Sequence, residues 1–194
     1  MEMETAVEMT QRRYKLLIFG PPGTGKTSFA RFLNDHNFSN GVEPTVGVDF
    51  QMFEYKLPDR VVHVTLWDLS GDSKGIRLSP KYVDIAEGIF LAIDESAEDG
   101  LEMFQSWLQN FEGLIDSDKP IVLLRMKSQE EENPAAQWAD KTRDWASEHH
   151  IPFCFVSSKT NFNVDSALVE LISQIDNKSM QIVPQYSWYC CILL

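Results

Sequence analysis

Apolar positions along the chain fall into short unbroken runs, separated by stretches with a period of three to four residues. Tyr14–Phe19 (YKLLIF) runs straight into glycine and reads as a buried strand. Thr27–Leu33 follows, with Phe29, Phe32 and Leu33 at helical spacing. Val46–Leu57 and Val61–Trp67 are rich in branched and aromatic residues and flank Pro58-Asp59-Arg60, which predicts a hairpin. Gly88–Ile93, Ile121–Leu124 and Phe153–Val156 are continuous apolar runs, the pattern of strands covered on both faces. Helical patterns lie between them: Leu101, Phe104, Leu108 and Phe111; Trp138 and Trp145; then Leu168, Leu171, Ile172 and Ile175. The six extended runs and the helices alternating after the hairpin predict an α/β three-layer sandwich. Its sheet is mostly parallel and six-stranded, with one antiparallel edge strand. Ligands of such sheets sit at the carboxyl ends of the strands. The apolar period stops after Ile175, so the chain divides into an N-terminal extension (1–13), one domain (14–176) and a tail (177–194).

Composition narrows the function. The 194 residues suffice for one domain with a sizeable core, and 43% hydrophobic against 24% charged residues is globular. Seventeen Lys and Arg against 29 Asp and Glu give a net charge of −12. That excludes a phosphate-tracking nucleic-acid binder and a purely electrostatic hold on anionic lipid. Met1–Arg13 has no apolar segment, so no signal peptide is expected, and Glu2 excludes myristoylation. No apolar run approaches the ~20 residues that span a bilayer. Cys154, Cys190 and Cys191 make no disulfide framework, and the expectation is a reduced, cytosolic chain.

The chemistry begins at Gly20-Pro21-Pro22-Gly23-Thr24-Gly25-Lys26-Thr27, which fits G-x-x-x-x-G-K-[ST] between a predicted strand and a predicted helix. Gly20, Gly23 and Gly25 let the backbone wrap closely around phosphates, and the N–H groups at the helix start, from Thr24 to Ser28, point at the anion. Lys26 reaches the β- and γ-phosphates. The Thr27 hydroxyl is a hard oxygen suited to Mg²⁺.

Further matches along the chain choose among P-loop proteins. Glu43-Pro44-Thr45-Val46-Gly47-Val48-Asp49-Phe50 resembles the signature of the Rab proteins, members of the Ras-like small GTPases. The resemblance implies that Thr45 ligates Mg²⁺ and touches the γ-phosphate of GTP. Phe38, seven residues earlier, stands where that family packs an aromatic on guanine. Trp67-Asp68-Leu69-Ser70-Gly71 resembles the family's W-D-x-x-G, with Asp68 holding Mg²⁺ through water and the Gly71 N–H bonding the γ-phosphate. Lys81–Ile93 and Ser106-Trp107-Leu108 are similar to the segments that follow. Ser157-Ser158-Lys159 corresponds to S-A-K, whose middle N–H meets the guanine O6. The resemblance runs in order from Tyr14 to about Ile175. It implies a Ras-like P-loop fold that holds GTP or GDP with Mg²⁺. It also implies effector, exchange-factor and activator proteins acting through Phe38–Phe50 and Trp67–Tyr82.

Three departures qualify the chemistry. Pro22 stands where the family has a small residue facing the γ-phosphate; proline lacks an N–H and adds a rigid ring. Asp72 takes the position of the glutamine that orients the attacking water, and an ionised carboxylate has no hydrogen to donate. Met126-Lys127-Ser128-Gln129 aligns with N-K-x-D, so Gln129 replaces the carboxylate that pairs with guanine, while Lys127 remains to lie on the base. A slip in alignment brings Glu130 there instead. Slow hydrolysis and weakened guanine selectivity are therefore expected.

The chain ends Cys190-Cys191-Ile192-Leu193-Leu194, and its last four residues fit C-a-a-X with a leucine that favours geranylgeranyl. One lipid anchors marginally. The predicted tail offers only Lys178 as a cation, so Cys190 is the candidate second site, for prenyl or palmitoyl. The expectation is a prenylated Rab-like switch in membrane traffic, peripheral on the cytosolic face of an intracellular membrane. A scaffold pseudo-GTPase and a small ATPase are the alternatives.

Overall fold

The computed structural model describes residues 12–94, 100–111, 113–114, 118–126 and 137–180. In chain order the elements are β1 (Arg13–Phe19), α1 (Lys26–Asp35), β2 (Val48–Lys56), β3 (Val61–Leu69), α2 (Ser73–Ile85), β4 (Gly88–Asp94), α3 (Gly100–Leu108), β5 (Ile121–Met126), α4 (Gln137–Glu148), β6 (Phe153–Val156) and α5 (Val164–Met180). They build one six-stranded sheet in the order β2-β3-β1-β4-β5-β6. Only the β2–β3 pair is antiparallel. This is the predicted α/β sandwich with its antiparallel edge strand.

Side-chain alternation along β1 explains the three layers. Tyr14, Leu16 and Ile18 face one core with Phe29, Leu33, Leu168 and Ile172 of α1 and α5. Leu17 and Phe19 face a second core with Phe104 and Trp107 of α3 and Trp145 of α4. All six residues of β5 are buried, as a central strand covered on both faces requires.

The structure departs from the pattern reading in three places. Ser73–Ile85 is helical although it contains Pro80 and little apolar period. Asp72 starts this helix, its carboxylate accepting from the N–H groups of Lys74 and Gly75. Phe111 packs in the second core but lies beyond the end of α3. Helix α5 continues to Met180, past the expected start of the tail. There Asp176 accepts from Arg12 and from the Tyr14 hydroxyl at 2.7 Å, and it pairs with Arg60 of the hairpin turn. These polar contacts carry no hydrophobic period, so the pattern missed both the end of α5 and the engagement of Arg12. Among the described residues, no helix is long and apolar enough to cross a membrane.

Candidate nucleotide-binding site

The phosphate loop joins β1 to α1 at the carboxyl edge of the sheet. Gly25 is the N-cap of α1 with φ of 87°, a left-handed conformation that glycine adopts without strain. It offers no side-chain hydrogen bond, so the first N–H groups of α1 have no capping side chain and face outward, the arrangement that receives an anion. Lys26 is buried and folds back over the loop, donating to the Pro21 carbonyl at 2.6 Å and to the Thr24 hydroxyl at 3.3 Å. Burial lowers its pKa to about 8, against the opposing pull of Asp68.

Three oxygens that the sequence singled out converge next to this lysine. Thr27 Oγ1 donates to Asp68 Oδ2 at 2.6 Å, Thr45 Oγ1 donates to the same oxygen at 3.0 Å, and the two hydroxyls are 2.7 Å apart. Asp68 is buried at the end of β3, and burial raises its pKa against the two hydroxyls and Lys26. Its Oδ1 has no hydrogen-bond partner among the described residues. A buried carboxylate oxygen without a partner, flanked by two hydroxyls, is a hard-oxygen set that fits Mg²⁺.

Gly71 follows directly. A Cβ at this position would lie 2.4 Å from the Gly20 carbonyl oxygen and 2.4 Å from the Pro22 nitrogen. The turn after β3 therefore rests on the backbone of the phosphate loop, and only glycine fits. Asp72 is fully at the surface. Hydrogen bonds from Ser70 and from the N–H groups of Gly75 and Lys74 hold its carboxyl below the usual range. The residue that the resemblance places at the family's glutamine position is thus engaged as a helix cap, and aspartate is a residue type that favours this position.

A cavity of about 170 Å³ extends from the loop toward the ends of β5 and β6. Gly23, Thr24, Gly25 and Ser28 line it on the side of the loop between β1 and α1. Phe38, Ser158 and Lys159 line the far side, so three residues assigned from the resemblance to the base share one pocket. Ser157 stands behind them, exchanging backbone hydrogen bonds with Phe162 at 3.0 Å and so closing the loop. Asp94, Met126 and Val156 also line the cavity; sequence reasoning gave Asp94 and Val156 no role and placed Met126 only as the first position of the segment similar to N-K-x-D. They are the final residues of β4, β5 and β6, and their place at the strand ends is the signal. Lys127, Gln129 and Glu130 lie outside the described residues, as do Cys190 and Cys191.

The family model of the Ras family matches residues 15–177. The chain belongs to the Ras family. Within it the chain is Rab-like. It is 30% identical over 168 residues to Ras-related protein Rab-13 of Bos taurus, covering 86% of this chain and 81% of that protein. It is 28% identical to Ras-related protein Rab-10 of Diplobatis ommata, over 86% of this chain and 82% of the relative. Ras-related protein RABE1d of Arabidopsis thaliana matches at 26% identity over 84% and 76%.

Proposed function

We propose that this Rab-like protein binds GTP and GDP with Mg²⁺ and acts as a membrane-anchored switch in vesicle traffic. The observation that carries the reading is the meeting of Thr27, Thr45 and Asp68 beside Lys26 at the start of α1. Thr27, Thr45 and Asp68, the last through water, would hold the metal. A Mg²⁺ held by these residues would supply positive charge to offset that of the phosphates. Gly20, Gly23, Thr24, Gly25 and Ser28 wrap the phosphates, Lys26 supplies the cation, and the Gly71 N–H meets the γ-phosphate. Phe38, Lys127, Gln129, Ser158 and Lys159 surround the base.

Thr45 and Gly71 sit on different segments, and one ligand that touches both orders them together. Partners would then read Phe38–Phe50 and Trp67–Tyr82. Phe50 is exposed, and Trp67 and Tyr82 meet edge-to-face with ring centroids 5.7 Å apart. Effectors, exchange factors and activators are the partners this surface suits. Cys190 and Cys191 would carry the lipid that holds the protein on the cytosolic face of an intracellular membrane.

The test is the identity of the nucleotide that co-purifies with the protein, followed by competition of GTP, ATP and xanthosine triphosphate against a labelled diphosphate. GTP should bind best but with reduced selectivity, because Gln129 leaves one guanine donor poorly matched, a loss of about 5- to 150-fold. Tighter binding of ATP would replace the reading with that of a small ATPase. Membrane fractionation of Cys191→Ser and the double Cys190→Ser, Cys191→Ser variant tests the anchor; a double variant still on membranes would refute it. A second reading, an assembly scaffold that binds nucleotide without switching, is favoured by the Asp72 carboxylate being tied to the start of α2. Equal hydrogen exchange of 38–46 and 71–82 in the diphosphate and triphosphate forms would select it.

A further inference from the structure

Trp107 of α3 touches two segments at once, the turn at Gly71 and the end of β1, and the match of Ser106-Trp107-Leu108 to the family pattern gives it no role. Its indole N–H donates to the Gly71 carbonyl at 3.2 Å in a buried contact. Its ring meets Phe19, the last residue before the phosphate loop, edge-to-face at a centroid distance of 4.7 Å. Phe111 closes the cluster, 4.6 Å from Trp107 and 4.4 Å from Phe19. Phe19 and Phe111 thus both pack against the indole. The Gly71 carbonyl accepts from the indole N–H, and the Gly71 backbone lies close against that of Gly20–Pro22.

We propose that Trp107 is a positioning residue for triphosphate recognition: its indole N–H holds the Gly71 carbonyl so that the turn 70–72 rests on the phosphate loop, which favours a nucleoside triphosphate over a diphosphate. The inference rests on the nucleotide-binding reading above. Its physical basis is an asymmetry between two positions of the turn. With the turn seated, the buried donor and the buried acceptor satisfy each other. When the turn leaves, Gly71 reaches water, but Trp107 remains packed against Phe19 and Phe111 with its N–H desolvated. The penalty falls on the open position, so the seated turn is preset before ligand arrives. A ligand that needs the seated turn then binds more tightly. A γ-phosphate bonded by the Gly71 N–H needs it; a diphosphate does not.

Trp107→Phe removes the donor and keeps a ring in the cluster. Its affinity for a non-hydrolysable GTP analogue should fall about three- to tenfold, the effect of one neutral hydrogen bond. Its affinity for GDP should stay within about twofold, so the ratio of the two changes. Phe111→Leu thins the same cluster and keeps the donor; it should lower the melting temperature and leave the ratio alone. Equal losses for both nucleotides in Trp107→Phe, or a matching change of ratio in Phe111→Leu, would mean that packing alone is at work and would overturn the proposal. The unsubstituted protein gives an independent readout if the variant does not fold. The ¹⁵N-indole resonance of Trp107, assigned by selective labelling, should move between the two nucleotide forms, with slower solvent exchange in the triphosphate form. An identical resonance and exchange rate in both forms would also overturn it. Binding of neither nucleotide would instead overturn the nucleotide reading, and this inference with it.

Discussion

The hydroxyl oxygens of Thr27 and Thr45 stand 2.7 Å apart although the two residues are eighteen positions apart in the chain, and both reach one oxygen of Asp68. Thr27 comes from the first turn of α1, Thr45 from the segment before β2, and Asp68 from the end of β3. Thr27→Ala should weaken nucleotide binding by about 10- to 150-fold in Mg²⁺, the range for a hydrogen bond or ligand contact to a charged group. In EDTA the variant and the unsubstituted protein should bind alike. Titration with and without Mg²⁺ measures this; an equal loss in both conditions would show that Thr27 acts on the fold and not through the metal.

Asp72 faces two demands, the cap of α2 and the place where a water-orienting group stands in relatives with glutamine. Asp72→Gln should speed single-turnover GTP hydrolysis, by as much as about 10², because it restores a neutral group able to donate. Asp72→Asn keeps an acceptor for Lys74 and Gly75 and should hold α2 in place. Asp72→Ala should raise hydrogen exchange over Ser73–Arg77, since the N–H groups of Lys74 and Gly75 lose their acceptor. Unchanged hydrolysis in Asp72→Gln would count against a catalytic use of this position.

Lys26 makes nucleotide affinity depend on pH. Burial lowers its pKa to about 8, and a phosphate beside it favours the charged form. The bound state therefore has the higher pKa. Affinity is fully present below about pH 8 and is lost as pH rises above it, by as much as about tenfold per pH unit. Calorimetry at pH 8.5 in buffers of different ionisation enthalpy should record proton uptake on binding. Lys26→Met should bind weakly at every pH and take up no proton.

Asp176 ties the last turns of α5 to Arg12, Tyr14 and Arg60. Its side chain is largely buried, and its two arginine partners are about one-third exposed. Asp176→Ala should lower stability by about 1–3 kcal/mol, since charge-assisted bonds are lost while the arginines can re-solvate. Denaturant unfolding measures this. The nucleotide affinity ratio should stay unchanged, because the cluster lies at the opposite edge of the sheet from the phosphate loop. A truncation after Ile175 should show the same loss; full stability of that shortened chain would sink the assignment.

The sequence by itself determined the order of the strands and of the helices other than α2, and it singled out the residues that the resemblance assigns to phosphate and metal. Continuous apolar runs such as Ile121–Leu124, bounded by turn residues, are the pattern of strands covered on both faces, and a loop that wraps phosphate needs glycine, lysine and a hydroxyl at fixed spacing. Both are local requirements, so both leave a local trace. What only the tertiary structure decided are relationships between distant segments. The strand ends bring Asp94, Met126 and Val156 to one cavity because the sheet order β1-β4-β5-β6 sets them side by side. Helix α5 extends past its apolar stripe because Arg12 and Arg60 approach Asp176 from the far edge of the chain. Asp72 reads as a catalytic position in an alignment, and as a cap once the N–H groups of Lys74 and Gly75 turn toward it. Trp107 reads as an ordinary core aromatic until β3 delivers the Gly71 carbonyl to its indole N–H. A hydrogen bond between residues 36 positions apart imposes no period and no spacing on the chain, so it is visible only when the chain is folded.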